Sequence, residues 1–266
     1  MAAFFARRKG KPMILAIDMG NTNIVIGCID DEKIHFVERM STDQSKTELE
    51  YAISFKNVLE LYKIDVAQIE GVIISSVVPP LVNTIKRAVK KVVNKSPKIV
   101  GPGIKTGLNI LMDNPAQVGS DMIVSAVAGL KEYGAPLIFV DMGTATTISV
   151  IDENKNYIGG AILPGAYTAL NALVSNTAQL PRISMEAPKK VIGKNTIDCM
   201  KSGMIYGNAA CIDGMIERME AELGTEATVV ATGGLASSVV PHCKKKIIID
   251  DALLLKGLKL IYDKNI

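Results

Sequence analysis

The stretch ILAIDMGNTN at residues 14–23 returns at 137–147 as LIFVDMGTATT, about 120 residues further along the chain. Each copy runs apolar residues into Asp-Met-Gly, followed at once by a small polar residue, with Thr within the next two positions. An apolar run ending in an acid and a glycine turn reads as a strand with a functional end, and writing it twice predicts two related halves. The chain has 266 residues, room for two domains of roughly 100–150 residues, each able to bury a core of its own.

The surrounding pattern supports this division. Residues 13–18 and 24–29 read as strands on either side of MGNTN, and KIHFVERMST continues the alternation as a further hairpin strand. TELEYAISFKNVLELYKI (47–64) places apolar residues near i, i+3, i+4 and i+7, which predicts an amphipathic helix. GVIISSVVPP (71–80) reads as a buried strand closed by prolines, with a helix over 81–93. The second half repeats the grammar: APLIFVDMG, then TTISVIDENKNYIGGAIL, helices near 165–173 and 196–223, and the strand ATVVATGG at 227–234. The expected boundaries are a first half over 13–132, capped by a terminal helix within 251–266, and a second half over 133–250. This is an α/β chain of strands and helices in layers.

Composition excludes several classes. The net charge is +3, and the lysine-rich stretches KRAVKKVVNK and HCKKK lack the interleaved aromatics of a nucleic-acid platform, so no nucleic-acid partner is expected. No apolar run approaches the roughly 18–20 residues of a membrane span, so no membrane partner is expected either. Cys28, Cys199, Cys211 and Cys243 lie far apart with no paired spacing, which argues against a zinc site or a disulfide framework and fits a reducing cytoplasm. The basic opening over 1–12 reads as a disordered leader or a start preceding the functional Met13, with a weak tether to an anionic surface as the lesser reading.

The doubled motif suits phosphate chemistry. Glycine lets the backbone bend and its amides approach anionic oxygens, and Asn or Thr adds donors. An Asp at the same strand end needs an intervening cation to face phosphate. A single such turn is usually only a turn; two in matched context, with Thr232-Gly233-Gly234 after a later strand, predict two jaws that grip a triphosphate across a cleft.

These residues resemble a known superfamily. DMGNT (18–22), DMGTATT (141–147) and TGG (232–234) are similar to the two phosphate motifs and the adenosine motif of the acetate and sugar kinase, heat-shock ATPase and actin superfamily. Within it, ISSVVPP, NPAQVGSD, GGAILPG, TAQLPRI and SGMIYGNAACIDGM, in this order, resemble type III pantothenate kinases. The resemblance implies duplicated ribonuclease H-like (actin-like ATPase) domains flanking a central nucleotide cleft, and a homodimer. It implies ATP, Mg²⁺ and a monovalent cation, K⁺ or NH₄⁺, as cofactors, and phosphorylation of pantothenate at the first step of coenzyme A biosynthesis.

The resemblance also assigns roles. Asp121 matches the catalytic aspartate, the proton acceptor for an attacking primary alcohol; from the residues alone it reads equally as a helix N-cap, because SDMIVSAVAGL opens a helix and Ser120 could cap while Asp121 works. Asp18 would orient Mg²⁺ through water, and Gly20, Asn21 and Thr22 would line the phosphate path, Asn21 touching the acceptor as well. Asp141 matches the monovalent-cation ligand, with Gly143, Thr144 and Thr146 on the phosphate side, and Gly233 and Gly234 would lie under adenine. Gly119 and Ser120 would stand on the acceptor side, and Thr177 would reach pantothenate from the other subunit.

Two departures concern the acceptor. Where the family usually writes Gly-Ala-Asp-Arg this chain has Gly-Ser-Asp-Met, so Met122 replaces an arginine, and Met112 stands where a tyrosine is common. A thioether offers neither charge nor donors to a bound carboxylate. Two other readings follow: a paralogue kinase with a different hydroxyl acceptor, and a non-catalytic regulatory protein of the Bvg accessory factor type, against which the intact Asp18, Asp121 and Asp141 argue.

Overall fold

The computed structural model describes residues 12–266, and all but Pro12 of the expected leader lies outside the described residues. The chain divides into two compact units: one takes the residues up to Thr106 with Gly119–Val124 and Leu254–Ile266, the other takes Gly107–Val118 and Ser125–Leu253.

The first unit is built on β1 (Met13–Met19), β2 (Asn23–Ile29) and β3 (Ile34–Ser41), an antiparallel meander, followed by α1 (Glu48–Leu61), β4 (Ile69–Ser76), α2 (Pro79–Val93) and the short β5 (Lys98–Ile99). Its sheet runs β3-β2-β1-β4-β5, with β4 parallel to β1. β1 is buried along its whole length, as the apolar run Met13–Ile17 requires of a strand covered on both faces, and Asp18 is buried with it. Helix α1 opens on a reciprocal cap in which Thr47 and Glu50 exchange side-chain and backbone bonds. Helix α2 begins at Pro79, two residues before the expected Leu81. Proline has no N–H to lose in the first turn of a helix and a pre-set φ, so the pair that closes the strand also opens the helix.

The second unit contains β6 (Asn109–Ile110), most of α3 (Ser120–Tyr133), β7 (Leu137–Met142), β8 (Ala145–Ile151) and β9 (Asn156–Pro164). These are followed by α4 (Ala166–Ser175), α5 (Thr196–Leu223), β10 (Thr228–Thr232), α6 (Ala236–Val239) and β11 (Ile248–Ile249). Its sheet runs β11-β10-β7-β8-β9-β6. Apart from the added β6, this is the order of the first sheet with β7 in the place of β1, so the duplicated motif marks a duplicated topology. The last helix, α7 (Leu253–Asp263), lies almost wholly in the first unit. Gly27 and Gly71 give it a flat seat: a side chain at Gly27 would meet Leu255, and one at Gly71 would meet Tyr262. Among the described residues, no helix is long and apolar enough to cross a membrane.

Candidate functional site

Strand parity decides where each acid points. In β1, Met13, Leu15, Ile17 and Met19 join the core that includes Phe55 and Leu59 of α1 and Ile85 and Val89 of α2, so the alternate residues, Asp18 among them, turn to the opposite face. Asp18 pairs in register with Ser75 of β4, and both are buried. The face they share is the one that α7 covers through Gly71.

The first turn of α3 lies on that face. The hydroxyls of Ser75 and Ser120 are 2.9 Å apart, the N–H of Ser76 donates to Ser120 Oγ at 3.0 Å, and Ser120 Oγ–H donates to the Ser76 carbonyl, also at 3.0 Å. The Ser120 side chain is thus turned into the fold. Asp121, the next residue, is half-buried in the first turn of α3. Burial pushes its carboxyl above the usual carboxylate range, opposed by the N–H of Met122, which donates to Oδ1 at 2.8 Å, and by its own backbone N–H. Gly119 lacks a side chain where one would collide with the Asp121 carboxylate.

The turn after β1 is pinned from outside. Gly20 N–H closes it on Asn23 O at 2.9 Å, while Thr42 donates its hydroxyl to Gly20 O at 2.7 Å and its N–H to Thr22 O at 2.9 Å. With these carbonyls engaged on one side, the exposed Asn21 and Thr22 present the rest of the turn to solvent.

The second unit repeats the device. Asp141 is the last residue but one of β7, opposite Thr147 of β8 and in register with Thr232 of β10, the relation Asp18 has to Val25 and Ser75. The Gly143 N–H closes the turn on Ala145 O at 3.0 Å. The Thr144 carbonyl accepts from Thr168 Oγ1 at 2.7 Å and from the Gly165 N–H at 3.2 Å, at the start of α4. Gly143 and Thr144 are exposed at the tip. Thr146 is buried beside Ile148 on the α4 and α5 face, and among the described residues its Oγ1 and Ser125 Oγ are the buried side-chain atoms without a hydrogen-bond partner. Gly233 has φ of +98°, and a Cβ there would lie 2.7 Å from Asp141 Oδ1 and 2.6 Å from Met142 N. Gly234 is exposed in the following turn. Thr177, just past α4, is exposed and donates its hydroxyl to Leu173 O at 2.9 Å.

The structure therefore gathers Asp18, Gly20, Asn21, Thr22, Gly119, Ser120 and Asp121 in one unit, and Asp141, Gly143, Thr144, Thr146, Gly233 and Gly234 around the other strand end. Thr177 stands apart at the end of α4. Thr42, Ser75, Ser76, Gly165 and Thr168 complete these clusters: Thr42 and Thr168 carry no motif, and Ser75, Ser76 and Gly165 lie in ISSVVPP and GGAILPG with no role assigned from sequence; the bonds that recruit them span 20 to 45 residues of chain. Two exposed glycine turns with outward-pinned carbonyls, each beside a strand-end carboxylate, fit phosphate oxygens and a cation between them and the acid. Among the described residues no three His, Cys, Asp or Glu side chains form a ready metal cage. A divalent ion here would take its remaining ligands from phosphate and water, as Mg²⁺ commonly does.

Two such halves, each with an acid and a glycine turn at the end of its central strand, define an actin-like ATPase fold. Solved structures agree on the fold. A conserved protein of the Baf transcriptional-activator family from Campylobacter jejuni matches with a TM-score of 0.58 at 19% identity, over 95% of this chain and 98% of its own. Component A of (R)-2-hydroxyglutaryl-CoA dehydratase from Acidaminococcus fermentans matches with a TM-score of 0.56 at 14% identity, over 96% and 98%.

Residues 14–218 match the family model for type III pantothenate kinase. A type III pantothenate kinase from an Exiguobacterium species is 48% identical over 95% of this chain and 99% of its own length, and one from Halalkalibacterium halodurans is 47% identical over 96% and 100%. The chain belongs to the type III pantothenate kinase family.

Proposed function

We propose that the chain transfers the γ-phosphoryl group of ATP to the primary alcohol of pantothenate, the first step of coenzyme A biosynthesis, with Asp121 as the proton acceptor. The observation that carries this assignment is the Asp121 carboxylate in the first turn of α3, beside the strand that pairs with Asp18. A raised carboxyl is a stronger base than an ordinary one, and it accepts the alcohol proton as the oxygen attacks phosphorus. The backbone amides and side chains of Gly20, Asn21, Thr22, Gly143 and Thr144 bind phosphate oxygens. Thr146 belongs to the phosphate side with them, its buried hydroxyl not engaged among the described residues, and Gly233 and Gly234 accept the adenosine end.

Asp18 would hold Mg²⁺ through water and Asp141 a monovalent cation, K⁺ or NH₄⁺; bound there, these ions supply charge neutralisation for the phosphates. Gly119, Asn21 and Thr177 belong to the acceptor side, Thr177 acting from a second copy in a homodimer. The protein is read as cytoplasmic. The family match does not favour a different acceptor or a non-catalytic regulatory role.

The test is ADP formation by purified protein with Mg·ATP and K⁺, with pantothenate or each of several other primary alcohols. Pantothenate-dependent ADP release is expected; ATP consumption only with another alcohol, or with none, overturns the reading.

A further inference from the structure

We propose that Ser120, which stands where the family usually has alanine, is a positioning residue particular to this chain: with Ser75 it clamps the first turn of α3 onto the end of β4 and so fixes the Asp121 carboxylate relative to Asp18. This rests on the reading of Asp121 as the proton acceptor.

A serine hydroxyl carries one proton and two lone pairs. Ser120 Oγ has three partners at 2.9–3.0 Å: the Ser76 carbonyl, the Ser76 N–H and the Ser75 hydroxyl. Giving its proton to the carbonyl and accepting from the other two, it is fully used. It takes both backbone groups of Ser76, as an added strand would at the end of β4.

The surroundings make the clamp stiff. Ser75 is fully buried, so its hydroxyl has no water to exchange for Ser120. Ser76 is held in turn: its hydroxyl accepts from the Val78 N–H at 3.0 Å, and the next residue, Val77, donates to Met19 O at 3.0 Å. β4 and β1 are in register from Ile14↔Gly71 to Met19↔Ser76, so the point that Ser120 grips cannot slide relative to Asp18. Asp121 follows Ser120 directly, and its carboxylate is confined further by the Met122 N–H at 2.8 Å. Neither Ser75 nor Ser120 needs to touch a substrate to act; both act through the place they give to Asp121.

The experiment compares S120A, S120T and S75A with the unmodified protein in kcat, KM for ATP, the pH profile of turnover, and amide hydrogen exchange over 119–124. A misplaced reacting group costs up to about 100-fold. S120A is expected to lower kcat by about 10- to 100-fold with the KM for ATP unchanged, to move the acid limb of the pH profile, and to speed exchange at 121–124. S120T, which keeps the hydroxyl, should restore most of the turnover, and S75A should fall between them. Unchanged exchange in S120A overturns the clamp; faster exchange with full kcat and an unmoved pH profile overturns its role in placing the base. An unmodified protein without pantothenate-dependent turnover would count against the function instead, and the exchange measurement would still judge the clamp.

Discussion

The Asp121 carboxylate occupies the space that a side chain at Gly119 would need. Its nearest obstacle to an added methyl is the end of a rotatable side chain, so Gly119→Ala should fold normally and turn Asp121 away from its place. The expected result is a turnover loss of about 10-fold or more with a melting temperature close to that of the unmodified protein. Full activity would show that the carboxylate works from another rotamer.

Asp121→Asn removes the proton acceptor and keeps its shape. Turnover should drop by about 10²–10⁴-fold while ATP binding, measured by calorimetry, stays within a few-fold. Stability should respond in the opposite sense. The folded carboxyl is raised above its ordinary value of 3.8, so its contribution to stability is full below that value and is lost as pH rises through the folded one. Melting curves should find the Asn variant at least as stable as the unmodified protein at pH 7, with the gap closing toward pH 4. The acid limb of turnover should have its midpoint above 3.8.

At Gly233 the obstacles are the Met142 backbone as well as the Asp141 carboxylate, and the φ of +98° is one that alanine adopts only under strain. Gly233→Ala should therefore cost about 1–3 kcal/mol of stability in denaturant titrations. If Asp141 holds a monovalent cation, turnover should differ among sodium, potassium and ammonium buffers, and Asp141→Ala should remove the difference. Equal rates in all three buffers would take Asp141 out of that role.

Met122 gives its N–H to Asp121 and stands where the family usually has arginine. A charged hydrogen bond to a bound carboxylate contributes on the order of 1.5–3 kcal/mol, so the KM for pantothenate should be high and Met122→Arg should lower it about 10-fold or more. Pantetheine, which has no carboxylate, should respond less. Equal improvement for both acceptors would mean that position 122 acts through packing of α3.

Thr42→Val removes the hydroxyl bond to Gly20 O and keeps the backbone bond to Thr22 O. Loosening the first turn should raise the KM for ATP by about 2- to 10-fold and leave the KM for pantothenate nearly unchanged. Steady-state kinetics with each substrate varied in turn separates the two.

What the sequence by itself determined is local: the two strand–Asp–Gly turns, the helices whose apolar residues recur every three to four positions, and the acids at the strand ends. Period and turn chemistry are written within a few consecutive residues, and the likeness of two such stretches announced the duplicated order of the sheets. Tertiary structure alone decided which neighbours hold these groups. Strand parity and the parallel register put Ser75 beside Asp18, and only folding brings Ser120 onto Ser75, 45 residues away. The glycines show the same division. The resemblance puts Gly119 on the acceptor side and Gly233 under adenine; in the fold, the space each leaves lies beside a carboxylate of its own unit, Asp121 at Gly119 and Asp141, with the Met142 backbone, at Gly233.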